Sequence, residues 1–479
     1  MLPYATTRTF QTTTQLLEHQ QEAVAKLLPS RVGALFAEMG TGKSRMAIEL
    51  VRLRQSKIDR VVWFCPVSLK ETIHYEILKH TDCHESDVYI FGEHTSERTL
   101  PVDILWYVIG IESMSASARA VFATRKLITE HTCVIVDEST YIKGHDALRT
   151  QRITHLSLPA RYRLVLTGTP ISQGVVDLYA QMRFLDPRIL GYRSFYSFAR
   201  NHLEYSKKYP DMIVQAHNVK YLAAKMRPYV YQVTKNEAGL QLPAKLHETY
   251  SCSLTMQQKD AYAEAKDYYL NEAIPDDWTS LYIFRLFTAL QSIVTGFWHH
   301  PDGKMINLPT NRISLLLSVL ERIPAPEKVI IWTKLHHSIR EICAELGTEY
   351  GQNAVAEFHG GLTETQRNAE LARWRGNPRF LVASLGVGSH GLTLTEACHA
   401  VFYANGFKYS ERLQAEDRQH RIGQERRPVY IDLDSGTGIE RRIFDALARK
   451  GNALAEFRRE VDKVKKTNKD KLRELVKSL

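Results

Sequence analysis

A run of small and apolar residues, Val32–Ala37, ends in Glu-Met-Gly-Thr-Gly-Lys and is followed by a helix-forming stretch, Ser44–Leu53. The run suits a strand. Glycines between a strand and a helix let backbone N–H groups turn inward on an anion, and the helix N-terminus adds favourable partial charge. A loop of this kind belongs at the C-terminal end of a strand in an open parallel sheet. At its end, Lys43 can reach the outer phosphates of a triphosphate and the Ser44 hydroxyl can ligate a magnesium ion.

The rest of the chain repeats the strand–helix theme. Apolar runs fall at Gly33–Ala37, Val61–Cys65, Val88–Phe91, Leu105–Ile109, Cys133–Val136 and Leu164–Leu166, then at Lys328–Trp332, Ala354–Phe358, Phe380–Ala383, Ala400–Tyr403 and Val429–Leu433. Alternation of this kind predicts parallel sheets covered on both faces. Two sets in 479 residues predict two α/β domains. We expect a first lobe over 1–241 with a helical insertion at about 188–235. A second lobe over 242–435 carries a helical insertion at about 254–320, with a loop near Asn271–Trp278. A basic helical tail over 436–479 breaks near Gly451. The boundary falls at Leu242-Pro243-Ala244-Lys245.

Cys133–Val136 ends in Asp137-Glu138, where an acidic pair can hold magnesium and polarise a water. Leu164–Leu166 runs into Thr167-Gly168-Thr169-Pro170, which alone reads as a turn. The net charge is +10. Residues 449–479 hold eleven Lys/Arg and five Asp/Glu, a net +6. Such a balance suits a phosphate-rich partner; a solvated basic helix fits the tail's charge equally well. The six cysteines are scattered and include no Cys-x-x-Cys, as expected for thiols in a reducing compartment. No apolar run reaches membrane-spanning length and the N-terminus lacks a signal-peptide pattern. The expectation is a cytoplasmic protein, bacterial or viral, with no membrane association.

The final segment, Gln414 and Asp417-Arg418 with His420-Arg421-Ile422-Gly423-Gln424, is the most specific in the sequence. With the segments above, it resembles the Swi/Snf-like DNA translocases of helicase superfamily two, over most of the chain. His19-Gln20, Pro66–Leu69, Leu166–Pro170, Lys235, Leu242–Lys245, His359-Gly360-Gly361 with Arg367, and Gly391–Thr395 carry the same resemblance. It implies two tandem RecA-like P-loop domains that hydrolyse ATP with magnesium. On that resemblance Gln20, Met39, Gly40, Thr41, Gly42, Lys43, Ser44, Arg45, Gly391, Arg418 and Arg421 bind the nucleotide. Ser44 and Asp137 hold the metal, and Glu138 acts as general base. Lys43, Arg418 and Arg421 stabilise the transferred phosphoryl group. Thr167, Thr169 and Gln414 couple the lobes. Ser68, Lys70, Lys334, His359, Gly360, Ser384 and Gly388 are the DNA candidates, with duplex DNA the expected partner of a monomer. Arg418 and Arg421, three apart, share one face if they lie on a helix.

Several positions depart from the family pattern. Ala37 replaces a glycine, as is normal in superfamily-two helicases. Ser139-Thr140 replace the usual Ala-His, putting the strength of lobe coupling in question. Gln173 and Thr393 stand where asparagine is usual, and Phe407 where tryptophan is common. None removes a phosphate-reactive group. A strand-separating or fork-remodelling helicase stays open as an alternative, as does a nucleotide-gated DNA clamp with little turnover. The aromatic residues of 188–232 suit a subdomain core better than base stacking. His80, Cys83, His84 and His94 lack the paired spacing of a closed zinc site. Trp298 and Trp374 read as packing residues.

Overall fold

The computed structural model describes residues 9–171, 174–205, 213–271, 278–388, 392–464 and 469–479. The chain divides into two compact units, Met1–Gln241 and Leu242–Leu479. The first contains β1 (Val32–Ala37), β2 (Arg60–Cys65), β3 (Val88–Ile90), β4 (Trp106–Gly110), β5 (Thr132–Val136), β6 (Tyr162–Thr167), β7 (Leu203–Tyr205), β8 (Ile213–Ala216) and β9 (Val230–Val233). Seven of these form one sheet in the order β3-β4-β2-β5-β6-β1-β9, paired in parallel throughout. Strands β1, β2, β4 and β5 are buried along their whole length. That is why their sequences are continuously apolar rather than alternating. Alternate residues feed two cores. Phe36, Phe64, Ile109, Val136 and Val165 face one, with Leu178 and Met182 of the helix Val176–Leu185. Leu35, Trp63, Val108, Ile135 and Leu166 face the other, with Met46 and Leu50 of the helix Lys43–Arg54.

The region expected as a helical insertion is mixed. Helices Pro187–Leu190, Phe195–His202 and Val219–Met226 surround an antiparallel β7–β8 hairpin, and β9 joins the main sheet beside β1. Part of its aromatic set packs on the core: Phe195 meets Tyr179 at 5.4 Å and Tyr192 meets Phe198 at 5.7 Å between ring centroids, while Tyr196 and Tyr221 are exposed.

The second unit holds β10 (Leu246–Ser251), β11 (Phe297–His299), β12 (Met305–Asn307), β13 (Val329–Thr333), β14 (Val355–Phe358), β15 (Phe380–Ser384), β16 (His399–Phe402) and β17 (Val429–Asp434). Its parallel sheet runs β10-β17-β16-β13-β15-β14. Helices Met256–Asn271, Ser280–Val294 and Asn311–Arg322 make the insertion, interrupted by the β11–β12 hairpin that its sequence did not announce. Most of the loop expected at Asn271–Trp278 lies outside the described residues.

The tail forms helices Gly438–Ala448, Ala453–Val464 and Lys469–Lys477. The described tail is built into the second unit. Ile439, Ile443, Phe457, Val461 and Val476 share a core with Leu286, Phe287 and Leu290. Phe457 lies 5.1 Å from Phe287 between ring centroids, and Tyr262 Oη donates to Leu479 O at 2.5 Å. The reason is hydrophobic: the apolar stripe of the tail finds the apolar face of the helix Ser280–Val294. Beneath it lies a buried ion pair, with Arg312 Nη2 2.7 Å from Glu440 Oε1. Arg312 is 1% exposed and also donates to Tyr403 O, Leu433 O and Ser435 Oγ. No described helix is long and apolar enough to cross a membrane.

Candidate functional site

Strand β6 lies between β5 and β1, and all three run in parallel. The loops after them therefore leave the C-terminal end of the sheet side by side. This brings Glu38–Lys43, Asp137-Glu138 and Thr167–Pro170 together although the sequence separates them widely. The contact between the first and third loops is close. A Cβ on Gly168 would stand 3.2 Å from both Met39 N and Met39 Cγ.

The first loop is held from below. Gln20 Nε2 donates to Thr41 O at 3.0 Å, and His19 Nε2 lies 2.9 Å from the same oxygen. Gln20 Oε1 accepts from Leu17 N at 3.0 Å. Gln20 is 4% exposed. The resemblance assigns it to the nucleotide; in this conformation its amide supports the loop. Gly42 takes φ +85°, the left-handed conformation glycine adopts freely. Thr41 Oγ1 donates to Glu38 O at 2.8 Å, and Lys235 N donates to Glu38 Oε2 at 2.8 Å. Lys43 Nζ folds onto Ala37 O at 2.9 Å. A phosphate oxygen in the loop would compete with that neutral carbonyl by offering full negative charge. Arg45, which the resemblance assigns to the nucleotide, is 4% exposed, and in this conformation its guanidinium donates to Thr14 and Glu49.

Asp137 closes β5 and is 7% exposed, its Oδ1 accepting from Glu138 N at 2.9 Å. Burial, and then the neighbouring Glu138 carboxylate, push its pKa up to about 7; Lys43 acts the other way. A buried carboxylate in that position fits a divalent cation, whose charge would reverse the penalty. Glu138 sits at φ 45°, ψ 55°. For a residue with a Cβ this conformation costs about 1–2 kcal/mol, and such strain concentrates at functional sites. Thr167 Oγ1 accepts from Thr169 N at 3.1 Å, so the two coupling candidates form one turn.

In the second unit the helix Tyr409–Glu416 ends before Arg418. The premise that Arg418 and Arg421 lie on a helix fails, because the chain turns at 417–422. They nevertheless converge: Arg418 Nη1 and Arg421 Nη1 each donate to Leu392 O at 3.2 Å. Arg418 Nε also reaches Gln414 O at 3.0 Å. Gly391 and Gln173 lie outside the described residues. Much of the most specific string is structural. Gln424 Nε2 donates to Thr395 O and Ala397 O, and His420 Nε2 lies 3.1 Å from Pro243 O. Arg412, unnoticed in the sequence, anchors the preceding helix. It pairs with Asp432 and Glu416 while Lys245 reaches Glu416 at 2.8 Å.

The DNA candidates divide. Lys70 is 8% exposed and donates to Phe91 O at 3.0 Å. Lys334 Nζ is buried against Phe407 and Phe284, and that burial pushes its pKa down to about 7. Neither lysine presents its charge at the surface in this conformation. His359 is held by Glu357 and Gly361 N. Ser384 is 4% exposed and closes β15, Ser68 is half-buried and Gly360 is exposed, while Gly388 ends the short helix Leu385–Gly388. His80 is engaged by Glu76 and Thr14, and among the described residues it belongs to no group of three metal-ligating side chains.

The model of the SNF2-related domain matches residues 17–295, more than half of the chain. The chain belongs to the SNF2-related family. A helicase conserved C-terminal domain matches residues 311–423. Among curated relatives, "ATP-dependent DNA helicase DDM1" of Arabidopsis thaliana is 24% identical over 86% of this chain and 57% of its own length. "DNA annealing helicase and endonuclease ZRANB3" of Homo sapiens is 24% identical over 84% of this chain and 37% of its own. An uncharacterised ATP-dependent helicase of Mycoplasma pneumoniae is 25% identical over 69% and 31%. This SNF2-related chain thus spans between about a third and somewhat more than half of these relatives. The solved Sulfolobus solfataricus SWI2/SNF2 ATPase core in complex with dsDNA aligns at TM-score 0.44 and 22% identity, over 99% of this chain and 98% of that one. The SNF2-related match begins just before Gln20 and takes in all three loops of the first unit, while the arginine pair falls in the C-terminal match.

Proposed function

We propose that this chain is a DNA-stimulated ATPase that tracks along duplex DNA. Its support is the gathering of the loops after β1, β5 and β6 at the C-terminal end of the sheet in a member of the SNF2-related family. In this reading ATP lies in the loop 38–43 with Lys43 on its outer phosphates. Magnesium is held by Asp137 and Ser44, and Glu138 polarises the attacking water. Arg418 and Arg421 supply positive charge to the transferred group. Hydrolysis then depends on the second unit, as a motor requires. Two relatives are named for DNA, and the chain's net +10 suits a phosphate backbone. Such contacts carry no sequence information, so we expect little base preference.

The test is ATP turnover with magnesium without DNA, with single-stranded DNA and with blunt duplex, beside Lys43→Ala. Strong stimulation by duplex, abolished in Lys43→Ala, is expected. Arg421→Ala should lower turnover more than nucleotide affinity. Stimulation by single strands alone overturns duplex tracking in favour of a strand-separating helicase. Negligible turnover under all three conditions favours a clamp.

A further inference from the structure

The departure at Ser139 has a partner in the fold. Ser139 is 0% exposed, and its Oγ donates to Gln181 Oε1 at 2.6 Å. Gln181 is also 0% exposed. Its Nε2 donates to Pro170 O at 3.0 Å and to Asp177 O at 2.9 Å. One buried amide thus joins the loop after β5 to the loop after β6. It does so from the helix Val176–Leu185, where it stands between Leu178, Met182 and Phe184 of the core. A polar side chain in such company is costly unless satisfied, and here both ends of the amide are used. Near the Ser139 end stands Glu138, the next residue, in its left-handed conformation. Beside the Pro170 end lies the Thr167–Thr169 turn.

We infer that Gln181 is a positioning residue that carries displacements of the Thr167–Pro170 loop to Glu138 through Ser139. Ser139 and Gln181 here tie together two loops that need to move in step if DNA is to govern the activation of water. Nothing in the Asp137-Glu138-Ser139-Thr140 segment alone announces this, because the other half of the pair lies 42 positions further on.

The inference rests on the proposed DNA-stimulated hydrolysis, and the experiment separates the two. Gln181→Met keeps length and bulk in the core while removing the amide. Turnover is measured against ATP concentration with and without saturating duplex DNA, for wild type, Gln181→Met, Ser139→Ala and the double variant. We expect DNA-stimulated kcat to fall about tenfold in each single variant, the loss of one good hydrogen bond felt in the transition state. KM for ATP should stay within about twofold, and the ratio of stimulated to basal turnover should fall. The double variant should be no worse than either single one, because both cut the same connection. Fluorescent-nucleotide binding in the same preparations separates this from misfolding, which would lower binding as well. An unchanged stimulation ratio, a loss carried by KM or by nucleotide binding, or additive losses in the double variant each overturn the inference while leaving the ATPase reading intact. A wild type that DNA does not stimulate overturns both.

Discussion

Gly42→Ala tests whether the glycine-rich loop at 38–43 depends on its support from Gln20. Two costs follow from the structure. At φ +85° an alanine pays for the left-handed conformation, about 1–2 kcal/mol. Its Cβ would also fall 2.3 Å from Gln20 Nε2, a separation no real contact allows. Gln20 must then withdraw, losing its bonds to Thr41 O and from Leu17 N. At about 0.5–1.5 kcal/mol each, these add roughly 1–3 kcal/mol. The sum is about 2–5 kcal/mol, so Gly42→Ala should lower the thermal midpoint of the first unit clearly and weaken nucleotide binding. The assay is a double-mutant cycle with Gln20→Ala, read by calorimetry and by fluorescent-nucleotide titration. In Gln20→Ala the obstacle is already gone, so Gly42→Ala should cost only the backbone strain, leaving a coupling of about 1–3 kcal/mol. Strict additivity would refute the idea that Gly42 is required because of Gln20. Wild-type affinity in Gly42→Ala would refute the loop's role.

Three further outcomes are expected. Glu440→Ala leaves Arg312 buried without its carboxylate and should destabilise the second unit by about 3–5 kcal/mol in denaturant unfolding, with Glu440→Gln milder because Gln keeps an acceptor for Ser435 N. Asp137, with its pKa raised to about 7, binds more protons folded than unfolded between about pH 4 and 7, so its contribution to stability is lost as pH rises through that window; Asp137→Asn should flatten this slope in thermal midpoints measured across it, and wild-type magnesium affinity should climb with pH up to about 7 and then level off. Lys334, pushed down to about 7, binds fewer protons folded than unfolded between there and about pH 10, so its own contribution to stability should rise with pH over that range. Lys334→Met should be more stable than wild type near pH 7, with the advantage shrinking toward pH 10.

The sheets were legible because their strands are buried on both faces, which forces continuous apolar runs such as Val61–Cys65 and Val329–Trp332. Strand β10 was not legible. Leu-His-Glu-Thr-Tyr-Ser pairs only with β17 at the sheet's edge and is half exposed along its length, so it carries no core signature. Strand β9 was hidden for a related reason: it is an edge strand of its own sheet, beside β1. The tail's helices and its break near Gly451 were readable, but not what they pack against, because an amphipathic stripe names a chemistry and not a partner. Lys70 and Lys334 illustrate the same limit: an ammonium group beside a motif is evidence of charge, and only the fold shows that both side chains are buried in this conformation.

The glycine-rich loop at 38–43 and the acidic pair stand out in the sequence because their chemistry lies in the residues themselves. What connects them was not, since it depends on which side chains the fold brings opposite each other. Gln20, Gln181 and Arg412 share this trait, each a polar group held inside a core and satisfied by segments far away in sequence. The sequence does contain a signal for such residues, namely a lone amide or guanidinium within an otherwise buried helix face. Gln181 within Leu-Tyr-Ala-Gln-Met-Arg-Phe-Leu is such an amide. It is completely buried, and left unsatisfied there it would cost about as much as a lost core methyl group or two. A buried amide that uses both ends is held in place by its partners. When those partners are the two loops that carry the carboxylates and the threonines, the constraint falls on the geometry of hydrolysis and not merely on the stability of the helix.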